Sequence, residues 1–163
     1  MQFGQAYSKE TVLPVARSGI STLQKCGFCD AMTSCGRWFL VLGALNAGIA
    51  VALGAAGTHA LKAQLASTDP AGWFSVALQY HQYHSLGLIL VGMAAERFPA
   101  SRWFAWTGWL MLLGILLFSG SLYLLSLAGI PAMHALIPIG GVAFIVAWLL
   151  FAVGGIRLRL PGD

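Results

Sequence analysis

The chain has 163 residues, 58% of them hydrophobic and 9% charged, against about a quarter charged in soluble domains. Nine Lys/Arg and five Asp/Glu cannot cover the surface of a water-soluble fold of this length, which excludes a soluble amphipathic bundle and leaves lipid as the main solvent. The formal net charge of +4 is scattered singly along the chain, which excludes a nucleic-acid partner, because that needs cations gathered on one face.

Residues 1–36 are mixed and aperiodic, with Pro14 and all three cysteines, and read as a flexible cytoplasmic N-terminal extension. They lack the apolar run of about 7–15 residues of a signal peptide. The "CGFC" of residues 26–29, with Cys35 nearby, suggests a redox or zinc motif. A structural zinc site takes four ligands, and no fourth Cys or His falls on this side of the membrane. The thiols are therefore expected to be unbound and, in a reducing cytoplasm, reduced. Met32 opens "MTSCGRWFLVLGAL", which itself reads as a natural start, so the part upstream reads as an appended or over-called extension.

Residues 37–159 read as a four-transmembrane-helix domain. A helix needs about 20 apolar residues to cross the hydrocarbon core. Four stretches, about 38–61, 76–95, 103–127 and 135–154, reach that length without one Asp, Glu, Lys or Arg. The predicted fold class is all-α, an integral membrane four-helix bundle embedded in the lipid bilayer. Lys9, Arg17, Lys25 and Arg37 precede the first stretch, Arg97 and Arg102 lie in the second connection, and Arg157 and Arg159 in the tail. Only Lys62 falls in the first connection, and the third has no cation. Positive residues collect on the cytoplasmic side, so the N- and C-termini are both predicted to be cytoplasmic.

The first stretch carries a stripe of small residues, Gly43, Ala47, Ala50, Gly54 and Gly57, at alternating spacings of four and three. Such stripes let helix backbones approach closely, where dispersion drives association in lipid. Gly48, Ala52 and Ala55 form a second small surface, so this helix is expected to meet two neighbours. A phosphate-binding loop is excluded, since no strand context and no Gly-Lys-Ser/Thr accompany the glycines.

The second stretch opens on "LQYHQYHSLGLIL", residues 78–90. His59 ends the first stretch and His134 precedes the fourth, so all four histidines belong to the non-cytoplasmic half, beside Gln79, Tyr80, Gln82 and Tyr83. Three accounts stay open. The aromatic residues, with Trp73, can form an interfacial belt while His and Gln bond backbone ends and one another. Alternatively, His81 and His84, at i and i+3 on one helix face, can join His59 or His134 around a metal or haem iron. The third account is a proton-responsive site. Against the metal account, Asp69 is the only acid on that side and lies in a loop, so no carboxylate stands ready to orient an imidazole. His84 lies about 12 Å into its helix at 1.5 Å per residue. It is expected to face the bundle and pair with Ser119, Ser121, Tyr123, a backbone group near Pro138 or, least favoured, Asn46.

The third stretch holds "LFSGSLYLL", residues 117–125. Ser119, Tyr123 and Ser126 share a helix face while Ser121 points elsewhere, and interhelical bonding is expected of them together with Asn46. In the fourth, "HALIPIGG" (residues 134–141) places Pro138 where it cannot donate to the carbonyl of His134. Either the helix extends back past the proline, or Pro138 begins it and residues 132–137 form a broken approach. Gly140 and Gly141 are further packing positions.

No nucleophile elbow or acidic third member accompanies the serines and histidines, and no charge sits mid-membrane, where ion pumps usually show one. The chain is expected not to be an enzyme and to need no cofactor. The expected role is a non-catalytic subunit, assembly aid or stabiliser of a membrane complex, with a membrane-protein partner or a homo-oligomer. The alternative is binding or transport of a small ligand or metal at the histidines.

"GAAGTHALK" (54–62), "QYHQYHSLGL" (79–88), "LFSGSLYLL" and "IPIGGVAFIVAW" (137–148) occur in that order. Together they resemble the "domain of unknown function 423" family of small bacterial inner-membrane proteins, and the eukaryotic transmembrane protein 256 looks similar. The resemblance covers about residues 33–159 and implies four helices, a bacterial inner (plasma) membrane location and no assigned activity. Its characteristic positions correspond to His59, His84, Ser119, Gly120, Ser121, Tyr123, Pro138, Gly140 and Gly141. His81 and His134 fall outside that pattern, which counts against a four-histidine metal site. Thr58 stands where the family has Ala, and the segment before Met32 is atypical of it.

Overall fold

The computed structural model describes residues 27–158, with side chains from Cys35 onward. Among them all regular structure is helical. The elements are α1 (Gly27–Thr58), a short α2 (Lys62–Thr68), α3 (Trp73–Arg97), α4 (Arg102–Gly114), a π-helical turn (Ile115–Gly120), α5 (Ser121–Ala128), a 3-10 turn (Pro131–Ala135) and α6 (Leu136–Ile156). α4, the π turn and α5 form one continuous rod. α1 begins at Gly27, so residues 27–36 of the expected flexible extension are helical; the rest of that extension, including Cys26, lies outside the described residues.

Among the described residues three stretches are long and apolar enough to cross a membrane: Cys35–Thr58, Arg102–Ala128 and Pro131–Ile156. The second predicted span is present as α3, but it does not join that set. Its N-terminal half carries Gln79, His81, Gln82, His84 and two tyrosines, which dilute its hydropathy. The packing accounts for this. α3 is the central helix, touching α1, α4, the π turn and α5, so protein covers His81 and His84 while Gln79, Tyr80, Gln82 and Tyr83 stay exposed.

α1 lies along α3, and the small-residue stripe is the contact. A Cβ on Gly43 would lie 2.9 Å from the backbone nitrogen of Ile89 and 3.0 Å from the carbonyl oxygen of Ser85. From the other helix, a Cβ on Gly92 would lie 2.7 Å from the nitrogen of Leu40. Gly57 receives the ring of Phe74, Gly54 faces Leu78, Ala50 is buried and Ala47 is half-buried. Among the described residues the second small surface meets no helix: nothing lies within 4 Å of a Cβ on Gly48, and Ala52 and Ala55 are exposed. α1 does reach a second neighbour, α4, but through Phe39, whose ring presses on Gly108. The same device recurs elsewhere, with Phe104 against Gly154 and Phe144 against Gly114. Phe39, Leu88, Val91, Phe104, Met111 and Ala147 make up most of the buried core.

The π turn seats Gly140 of α6 against the backbone of Phe118. Ser119, Ser121 and Ser126 are all buried, because the rod has α3 on one side and α6 on the other. Ser121, expected to point elsewhere than Ser119, is covered as well. α6 starts at Leu136, after the 3-10 turn, and Pro138 falls in its first turn, where a missing N–H has no intrahelical acceptor to lose. The helix thus extends back past the proline, the first of the two expected arrangements, and Pro138 does not begin it.

Asp69 has a role the sequence did not reveal. Its Oδ1 accepts from the backbone N–H of Trp73 at 2.8 Å and its Oδ2 from that of Phe74 at 2.8 Å. Gly72, at φ +72°, makes the left-handed turn that folds the carboxylate back over the start of α3. Asp69→Ala is expected to lower stability by about 1–2 kcal/mol, the usual worth of such a cap, read as a drop in thermal midpoint in detergent.

Candidate polar site in the bundle

α3 presents His81 and His84 three residues apart, and they are 4% and 5% exposed. The two rings go to different neighbours. His81 Nε2 lies 3.1 Å from Asn46 Oδ1 on α1, and its Nδ1 lies 3.4 Å from the Tyr123 hydroxyl on α5. The amide oxygen only accepts, so Nε2 donates, and Nδ1 accepts from Tyr123. The Asn46 amide is itself fixed, since its Nδ2 donates to the carbonyl of Leu42 at 2.8 Å. Asn46, the least favoured partner for His84, is thus the firm partner of His81, and the bond ties three helices together.

His84 carries its proton on the other nitrogen. Nδ1 donates to the carbonyl of Tyr80 at 2.7 Å, and Nε2 accepts from the Trp148 indole N–H on α6 at 3.2 Å. The ring lies flat on Phe144, with centroids 3.4 Å apart and planes 14° apart. His84 therefore faces into the bundle and bonds another helix, but to none of the five expected groups. Sequence reasoning missed Trp148 and Phe144. The available signal was Trp148 itself: it stands well inside α6, away from any interfacial belt, with an indole N–H that needs an acceptor.

The other candidates do not converge on these two. Gln79 and Tyr83 form an exposed pair at 3.2 Å. Tyr80 is 39% exposed, stacks on His84 and lies tilted against Phe118. Gln82, His59 at the end of the first span and His134 in the 3-10 turn are exposed. Among the described residues no three His, Cys, Asp or Glu side chains are grouped to hold a metal. The arrangement makes two interhelical clamps, not one four-histidine cluster. Chemically, each neutral imidazole has a single ring lone pair, and both lone pairs already accept, from Tyr123 and from Trp148. Beside His84, an open cleft of about 360 Å³ is lined by Tyr80, Phe118, Phe144, Ile145 and Trp148. Ser119 Oγ is buried without a hydrogen-bond partner among the described residues.

Comparison with known proteins gives one consistent answer. Residues 53–141 match the family model described as protein of unknown function (DUF423), a stretch that includes His81, His84 and Tyr123 but neither Asn46 nor Trp148. The chain is 43% identical to the UPF0382 membrane protein YwdK of Bacillus subtilis over 119 residues, 73% of this chain and 96% of that protein. It is 39% identical to the UPF0382 inner membrane protein YgdD of Escherichia coli K12 over 131 residues, 80% of this chain and 97% of that protein. A UPF0382 membrane protein of Staphylococcus saprophyticus is 43% identical over 120 residues, 74% of this chain and 98% of that protein. No solved structure matches.

Proposed function

Because the chain belongs to the DUF423 (UPF0382) family of membrane proteins, we propose that it is a non-catalytic four-span bundle serving as a subunit, assembly aid or stabiliser of a larger membrane complex. It sits in the lipid bilayer as a bacterial inner (plasma) membrane protein. The observation that carries the non-catalytic reading is the engagement of both ring nitrogens of His81 and of His84 inside the bundle. The side chains best suited to chemistry are used to hold helices. Support for a partner comes from α1, whose outward surface of Gly48, Ala52 and Ala55 has no neighbour among the described residues, although such surfaces favour helix association in lipid.

In this reading α3 is the fourth crossing. Its 25 residues extend about 37 Å at 1.5 Å per residue, enough for the core. Eight of the nine Lys/Arg lie on the side of the termini, which makes that side cytoplasmic. Reporter fusions after Asp163 and within residues 64–72 are expected to report opposite sides, and the same side for both overturns the four-span reading. For the role itself, affinity purification in mild detergent is expected to recover a discrete assembly, another membrane protein or further copies of this chain, that Gly48→Ile disrupts while leaving the fold intact. A wild-type protein recovered only as a monomer with no specific companion sinks the subunit reading.

A second reading, binding or transport of a small ligand or metal at the histidines, is favoured by the aromatic cleft beside His84. Metal analysis and an absorption spectrum of the purified protein separate the two. A stoichiometric metal or a haem Soret band would displace the first reading.

A further inference from the structure

The end of the bundle opposite Asp69 holds an open cleft of about 600 Å³ to which three arginines contribute. Arg97 comes from the last turn of α3, Arg102 is the first residue of α4, and Arg157 directly follows α6. Two of them have a local rationale: a cation at a helix C-terminus meets the negative end of the macrodipole, which suits Arg97 and Arg157. Arg102 has none. It stands at the positive end of α4, which has no acidic residue in its first turn and no side-chain cap on its free N–H groups. Like-signed groups therefore converge, and among the described residues no carboxylate lines the cleft. Of the acidic side chains described, Asp69 is at the far end and Glu96 packs against Gly36 of α1. Two guanidinium groups are steadied by rings, Arg97 at 5.0 Å from the centroid of Phe98 and Arg157 at 5.1 Å from that of Trp103. Topology asks only that cations lie on one side of the membrane. It does not ask three helices to bring them to one aromatic-walled cleft.

The geometry points to a binding site for the phosphate headgroup of an anionic phospholipid. Arg102 opens the apolar stretch Arg102–Ala128, and Arg157 follows Pro131–Ile156, so the cleft lies at the level where lipid phosphates sit. Guanidinium forks match phosphate oxygens two at a time, and basic pockets between membrane helices are suited to anionic head groups. Phe98, Trp103 and Leu158 supply an apolar wall for the glycerol and first methylenes. A soluble phosphate makes no use of such a wall.

The test uses the full chain in a neutral detergent, titrated with short-chain phosphatidylglycerol, phosphatidylcholine or inorganic phosphate while the thermal midpoint is followed. Phosphatidylglycerol is expected to raise the midpoint saturably, and the other two are not. Arg102→Gln is expected to weaken phosphatidylglycerol about tenfold, the loss of one charge-assisted hydrogen bond. Replacing Arg97, Arg102 and Arg157 together by Lys keeps the charge that sets topology but removes the forks, and is expected to weaken binding at least as much. Equal responses to the two lipids overturn the site. An equal response to inorganic phosphate reassigns it to a soluble phosphate ligand and overturns the lipid assignment. Unchanged affinity in the triple Lys variant means diffuse attraction and overturns the cleft. If that variant fails to fold, the three single Arg→Lys variants decide, and no weakening in any of them is equally fatal.

Discussion

Gly43→Leu is expected to lower the thermal midpoint of the detergent-purified protein sharply, while Gly48→Leu on the same helix leaves it unchanged or raises it. At Gly43 the first added carbon would lie 2.7 Å from Ile89 Cγ1 and 2.9 Å from the Ile89 backbone nitrogen. A side chain can rotate away, but a backbone nitrogen moves only if α3 moves. At Gly48 nothing stands within 4 Å. Overpacking costs about 1–3 kcal/mol, and here the Cβ alone is enough, so Gly43→Ala is expected to show a large part of the effect. Both leucines gain helix propensity over glycine, up to about 1 kcal/mol, so the difference between the two variants reports the interface. Equal midpoints would mean that α1 does not lie on α3 at this level.

His81→Leu is expected to cost about 1–3 kcal/mol, at least as much as His84→Leu. Depth along the helix, taken alone, favours His84 as the more sensitive position, since it lies further into the span than His81. The structure gives the two rings nearly equal burial, but His81 bonds side chains on two other helices and His84 bonds a side chain on one. Removing His81 leaves the Asn46 oxygen without its donor, and Asn46 borders an open, mostly apolar groove with Trp109 and Leu116. An unpaired polar group there carries its full desolvation penalty, about 1–3 kcal/mol, although measured interhelical bonds in membranes average nearer 0.6 kcal/mol. Removing both partners erases the penalty, so the Asn46→Leu/His81→Leu double variant is expected to be more stable than His81→Leu alone. Strictly additive losses in that cycle would show that the two side chains do not interact.

The helices and their order were legible in the sequence because uncharged apolar stretches of spanning length have few alternatives. The α1 stripe was legible because small residues at spacings of four and three declare one face. Rotations about helix axes were not. α6 is apolar all round, so no periodicity shows where Phe144 and Trp148 point, and the bond from Trp148 to His84 joins residues 64 positions apart. The division of the two histidines between α1 and α6 depends on those rotations, and four histidines on one side therefore looked like one cluster. The π turn left no local trace either. Residues 115–120 contain no proline, and the turn lies where Gly140 of a later helix meets the Phe118 backbone. Asp69 looked like a loop acid because its partners are backbone N–H groups, which every sequence has.

The rings of Phe39, Phe74, Phe104 and Phe144 each occupy the space left by an absent side chain, on Gly108, Gly57, Gly154 and Gly114. Lipid tails are as apolar as the helices, so greasiness cannot tell one pairing from another. Volume can. Sliding a helix by one residue turns its glycine about 100° away and offers the incoming ring a methyl group. The bundle is thus keyed like a set of plugs and sockets, and the key constrains how its sequence can drift. A bulkier residue at Gly114 is tolerable only after Phe144 has shrunk, and in the reverse order the intermediate cannot close. An α6 grafted into a bundle without a socket at the level of Gly114 would carry all the right hydrophobicity and still have nowhere to sit.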